Sequence, residues 1–172
     1  ETRRKLRATL EMSMGRVVAD YMKFCITKLA SNSNENIEFI ENLNEKILVF
    51  DGINLLFPVL SPPNCLDDIK SLFRQSHTQL KKALEFFKLD GYVTEHIGIL
   101  KEISSLYKSL SSLKSHRAFS YLEKRKELLK PILIQINPKA YAATLLELAV
   151  EVAEACSGMF EFGLTELIDQ KK

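Results

Sequence analysis

Residues Glu85 to Tyr107 read EFFKLDGYVTEHIGILKEISSLY, and they contain a helix end, a tight turn and a new helix start in one continuous run. Phe86, Phe87 and Leu89 close one apolar-periodic segment. Asp90-Gly91 is a strong turn dipeptide, because glycine reaches φ > 0 without a Cβ clash. Thr94 is placed to cap the next helix through its hydroxyl, and Glu95 sits where the positive helix terminus favours a carboxylate. The stretch therefore predicts a helical hairpin with its hinge spelled out.

Working outward, periodicity predicts five helices. The first covers about Thr2 to Ala30, with Leu6, Leu10, Met14, Val17, Tyr21, Cys25 and Leu29 on one face. Ser31-Asn32-Ser33-Asn34 ends it, since these side chains compete for backbone hydrogen bonds. The second runs from near Asn64 to about Leu89, with Leu66, Ile69, Phe73, Ser76, Leu80, Ala83 and Phe87 buried and Asp67 and Asp68 in its first turn. The third runs from Thr94 to about Lys114, with Ile97, Leu100, Ile103, Tyr107 and Leu110 inward. The fourth runs from about His116 to Leu129, where Pro131 removes a backbone donor and forces a kink or a stop. The fifth starts at Asn137-Pro138, a good N-cap followed by a residue preorganised for the first helical position. Its inner face is Tyr141, Leu145, Leu148, Val152, Cys156 and Met159, and Phe162-Gly163 ends or bends it.

Residues 31–64 break the pattern. Ile37, Ile40 and Leu43 suggest a short helix, Ile47 to Phe50 looks strand-like without a partner, and Asp51-Gly52 and Ser61-Pro62-Pro63 are turns. A long, partly helical connection is expected, unusual in a compact domain. The starts at Thr94, His116 and Asn137 lie about 22 residues apart, so a helix pair takes about 44, longer than the 34-residue tetratricopeptide repeat. The fold class is all-α: antiparallel hairpins with short turns stacked as a tetratricopeptide-like α-solenoid, or, alternatively, packed as a closed helical bundle.

Composition agrees. The chain has 172 residues, 46% hydrophobic and 27% charged, with six Gly, five Pro and no Trp. That is ordinary for one folded all-α unit and argues against global disorder. A net charge of +2 is too small to imply nucleic acid. No run of 18 apolar residues proposes a membrane span, and no signal peptide is visible. The chain begins at Glu1, which reads as an excised or processed piece. Cys25, Cys65 and Cys156 are far apart and without a CxxC, as expected of buried free thiols in a reducing compartment.

Catalysis is poorly supported. His77, His96 and His116 are isolated, no zinc-ligand spacing occurs, and no nucleophile elbow, Walker loop or GxGxxG is present. No cofactor or metal is expected, and the chain reads as non-enzymatic. Charge is more informative. Residues 1–7 hold four basic side chains against one acidic, and residues 114–130 hold six Lys or Arg against two Glu. Residues 131–172 hold six acidic against three basic. A basic stripe beside an acidic helix would steer a partner of mixed charge, although a solvated helix face explains the same pattern.

The DGYVT junction resembles that of the kinesin-binding protein family. The likeness extends to Glu123-Lys124-Arg125-Lys126 with Leu129-Lys130-Pro131, to Asn137-Pro138-Lys139-Ala140-Tyr141, and to Met14-Gly15-Arg16 with Tyr21 and Cys25. It covers roughly residues 10 to 165 and is weakest from 30 to 65. Ala140 stands where the family usually has a second Tyr, and Cys156-Ser157 where it usually has aromatics. The resemblance implies the C-terminal half of a curved helical solenoid, with residues 1–172 a single fragment of it. It implies a regulatory interaction protein that binds kinesin motor domains and blocks their microtubule attachment, cytoplasmic and associated with the cytoskeleton. Tyr92, Thr94, His96 and Lys101 around the junction, with Arg117, Lys124 and Arg125, are the candidate partner-binding residues. No nucleic acid or membrane partner is expected, and cut solenoid ends would expose apolar surface open to self-association. The competing reading is a structural helical module of another assembly with no motor partner.

Overall fold

The computed structural model describes residues 1–31, 66–113 and 117–169. The described residues form five α-helices: α1 Thr2–Ser31, α2 Leu66–Phe86, α3 Val93–Ser111, α4 Ala118–Gln135 and α5 Ala142–Asp169. No strand occurs among them. The expected 31–64 connection, its strand-like Ile47 to Phe50, and Cys65 and His116 lie outside the described residues.

Each helix packs antiparallel on the next, and the hairpins stack into two layers. α1, α3 and α5 form one layer; α2 and α4 form the other. The ladder of Lys101–Glu147, Ser104–Glu151 and Lys108–Glu154 contacts rises together along α3 and α5, so these two run parallel. The α1–α2 and α4–α5 hairpins share the largest interfaces, and among the described residues no extensive contact returns from α5 to α1. The array is all-α and open.

α1 and α2 meet over small residues. Gly15 lies so close to α2 that a Cβ there would stand 2.7 Å from Leu80 Cγ. At the same crossing the Ser76 hydroxyl donates to the Gly15 carbonyl at 2.7 Å. The buried face of α1 is Ala8, Val18, Ala19, Met22, Cys25 and Ile26. This corrects the expected stripe: Leu6 is 70% exposed, Val17 is 61% exposed, and Leu10 is also exposed. At 100° per residue the true face is centred roughly a third of a turn away, with Cys25 at the edge of both. Ala8, Gly15 and Ala19 carry little hydrophobic signal, yet they are what lets two backbones approach.

α2 buries Ile69, Leu72, Ser76, Leu80 and Ala83, while the expected Leu66 at its start is exposed. α3 is covered on more than one side, since it contacts α1, α2 and α4, and it buries Ile97, Ile99, Leu100, Ile103, Ser104, Leu106 and Leu110. One core cluster joins α1, α2 and α3; a second joins α3, α4 and α5 through Ile97, Leu100, Leu129, Ile132 and Leu148.

The helix ends differ from the sequence expectations at several points. Tyr92, not Thr94, is the N-cap of α3, and it makes no side-chain cap bond. α4 continues past Pro131 to Gln135; burial of Ile132 and Ile136 holds the extra turn in place while the proline ring faces outward. Asn137-Pro138 opens a turn and not the helix itself. The Asn137 side chain accepts from the Lys139 N–H at 3.0 Å, its carbonyl accepts from Ala140 and Tyr141, and α5 begins at Ala142. α5 runs through Gly163 to Asp169, and Cys156 on it is exposed, not inward.

Candidate partner-binding surface

The junction is a packed hinge. Phe87 is buried, and Phe86, Phe87 and Tyr92 contact one another with ring centroids 5.3–5.4 Å apart. The Lys5 ammonium lies 5.4 Å from the Tyr92 ring centre, which ties the start of α1 to the hinge. His96 Nδ1 donates to the Phe87 carbonyl at 2.8 Å, so it satisfies a carbonyl that α2 leaves behind. Asp90-Gly91 is a turn closed by the Tyr92 N–H on the Lys88 carbonyl at 2.9 Å. Gly91 does not use the left-handed region, and nothing lies within 4 Å of where its Cβ would be. Tyr92 and His96 thus have structural partners, whereas Thr94 is exposed.

Charge is organised as a ladder across the α1–α3–α5 layer. Arg16 and Lys23 of α1 reach Glu102 of α3, at 3.8 and 3.5 Å. Lys101 and Lys108 of α3 reach Glu147 and Glu154 of α5, at 2.7 and 2.8 Å. The Glu147 carboxylate, through its hydrogen bond, holds the Lys101 ammonium above its usual range. Lys108, then Arg125, hold the Glu154 carboxyl below the usual range through their hydrogen bonds.

Arg125 reaches this ladder from beneath. Its side chain is 3% exposed; its Nε donates to Ser104 Oγ at 2.8 Å, and Nη2 reaches Glu151 and Glu154 at 3.4 and 3.1 Å. A buried guanidinium needs such partners. Arg125 is therefore buried and bonded inside the protein.

The remaining candidates divide between two sides. Thr94 and Lys101 lie roughly 120–140° around α3 from Tyr107 by helix geometry. Tyr107 points to the other layer, where it meets Phe73 and His77 of α2 and Tyr121 of α4. Arg117 and Lys124, both exposed, belong to that α2–α4 side. Sequence reasoning missed the acidic rungs Glu102, Glu147 and Glu154 and the four-ring cluster. The rungs had a signal: Lys101 and Lys108 share a seven-residue spacing with Glu147 and Glu154. Among the described residues no group of three or more His, Cys, Asp or Glu is placed to hold a metal, and no helix is long and apolar enough to cross a membrane.

A protein-family model described as KIF-1 binding protein C terminal matches residues 6–172. The chain belongs to that family. Among curated members, KIF-binding protein of Mus musculus is 30% identical over 101 residues, 58% of this chain and 16% of the mouse protein. KIF-binding protein of Gallus gallus is 28% identical over 131 residues, 70% of this chain and 22% of the relative. KIF-binding protein of Dictyostelium discoideum is 29% identical over 90 residues, 51% of this chain and 14% of the relative. Each match thus covers less than a quarter of the relative. No solved structure matches the chain. For this member of the KIF-1 binding protein C-terminal family, the geometry offers two usable surfaces. One is the ion-paired layer of α1, α3 and α5; the other is the basic, ring-lined side of α2 and α4.

Proposed function

We propose that the chain is part of a non-enzymatic regulatory protein that binds kinesin motor domains and blocks their attachment to microtubules. The observation that carries this reading is the family match over residues 6–172, together with relatives named KIF-binding protein. The physical side supports it. A motor is held off its track by covering the surface it uses to bind, which needs a wide scaffold that keeps its shape. Antiparallel helix hairpins with two continuous cores supply one. Thr94 and Lys101 on the α1–α3–α5 layer, with Tyr92 and His96 at its edge, are the proposed contacts; Arg117 and Lys124 are proposed on the other side. The expected setting is the cytoplasm, at the microtubule cytoskeleton.

The test is co-sedimentation of purified kinesin motor domains with microtubules. Adding the protein should move motors from the pellet to the supernatant in proportion to its concentration. If every motor stays on the microtubules at saturating protein, the reading fails.

A further inference from the structure

Between the first turns of α2 and α4, over the end of α3, lies a cleft of about 330 Å³. Its floor is apolar: Leu110 and Leu113 from the end of α3 and the Tyr121 ring from α4. Its walls are basic. Arg74 of α2 stands on one side and Arg117, the residue before α4, on the other; both are exposed, and neither guanidinium is paired with a carboxylate among the described residues. The carboxylate that lines the cleft, Asp67, is bonded by Lys70 at 2.8 Å and also feels the charge of Arg74, with which it makes no ion pair. Arg117, the N-cap of α4, makes no side-chain cap bond, and no acidic residue lies in the first turn of α4, so this end favours an anion.

The floor continues away from the cleft as an aromatic layer. Tyr121 stacks with Tyr107, centroids 6.4 Å apart, and Tyr107 packs against Phe73 and His77. Lys81 and Lys124 stand near enough to that layer to act on the His77 ring. Positive charge therefore borders an apolar strip from Arg117 and Arg74 onward. Packing alone does not call for two arginines without a carboxylate partner beside the partly buried Leu113 and Tyr121. The size suits one bulky side chain, at the low end of the roughly 300–1,000 Å³ typical of ligand sites.

We propose that this cleft is a docking site for an acidic peptide segment in which carboxylates flank one bulky apolar residue. The apolar side chain enters against Leu110, Leu113 and Tyr121. The flanking carboxylates meet the forked donors of Arg74 and Arg117, which suit a carboxylate in a bidentate way. The site lies on the α2–α4 side and shares Arg117 with the proposed motor contacts, but the peptide assay contains no motor, so its outcome is read separately from the motor reading.

The probe is a fluorescein-labelled decapeptide with one central Phe between runs of Glu, read by fluorescence anisotropy at moderate salt. Saturable binding is expected, weakened roughly tenfold or more in the Arg74→Glu/Arg117→Glu double variant. Arg3→Glu/Arg4→Glu, an equal charge change far from the cleft, should leave the affinity within about twofold. Replacing the Phe by Gly should weaken binding to the protein but leave the salt dependence in place. Circular dichroism of both double variants should match that of the parent. The proposal is overturned by absence of binding, by equal losses in the two double variants (diffuse charge), by indifference to the Phe, or by displacement with inorganic phosphate alone (a simple anion site).

Discussion

At the scale of single residues, Gly15 and Gly91 show how differently two glycines act. Gly15 is the contact point of α1 and α2, and any Cβ there meets Leu80. Gly15→Val should cost about 1–3 kcal/mol of stability through overpacking, read from urea denaturation. Gly91→Ala should be neutral or stabilising by up to about 1 kcal/mol, because its backbone conformation is open to any residue and the space around it is empty. His77 adds a pH effect. Burial, then Lys81 and Lys124, push its pKa below the usual value. The unfolded chain therefore takes up a proton at His77 that the folded chain resists, and the protein loses stability as pH falls through about 6.5. His77→Phe keeps the ring stack with Phe73 and removes this part of the loss. Comparing urea midpoints at neutral and mildly acidic pH checks it; equal acid losses in parent and variant would refute the assignment.

At the scale of elements, the buried Arg125 network holds α3, α4 and α5 in register. Arg125→Met should destabilise by about 2 kcal/mol, less than for a fully enclosed ion pair because Glu151 and Glu154 keep some contact with water. Glu154 gives the matching acid dependence. Its depressed pKa stabilises the fold above the usual carboxylate range, and that contribution disappears as pH falls through the folded value. These elements also show what a sequence can carry. α2 was legible because a full stripe of large apolar residues repeats at helical spacing with Asp67 and Asp68 at its start. α1 was legible as a helix but not in its orientation, since its packing surface is Ala8, Gly15 and Ala19 and its bulky leucines face outward. Pro131 marked a kink or a stop in the sequence, and the helix continues past it with Ile132 and Ile136 buried. Arg125 read as a surface charge because nothing in its neighbours in sequence announces Ser104 and Glu151, which reach it only through the fold. The junction at Asp90-Gly91 was legible as a turn, but its tie to Lys5 depends on α1 folding back.

At the scale of the whole molecule, both ends of the helical array carry uncovered apolar surface. On α5, Leu146, Val150, Phe160, Leu164 and Ile168 fall within about 40° of one line along the helix, and Leu146 and Phe160 are 67% and 68% exposed. On α1, Leu6, Leu10 and Val17 do the same. Faces of this kind associate. Sedimentation velocity should therefore show concentration-dependent self-association, and Leu146→Glu/Phe160→Glu should return the protein toward monomer without loss of helical signal. A strictly monomeric parent at high micromolar concentration would contradict this.

The helical array is proposed as a scaffold that holds a motor. Biolayer interferometry of purified kinesin motor domains over the immobilised protein, with no microtubules present, separates motor binding from any effect on the track. Saturable binding of at least one motor domain, weakened by Lys101→Glu, is the predicted result. Failure of every motor domain to bind at concentrations up to tens of micromolar would contradict it.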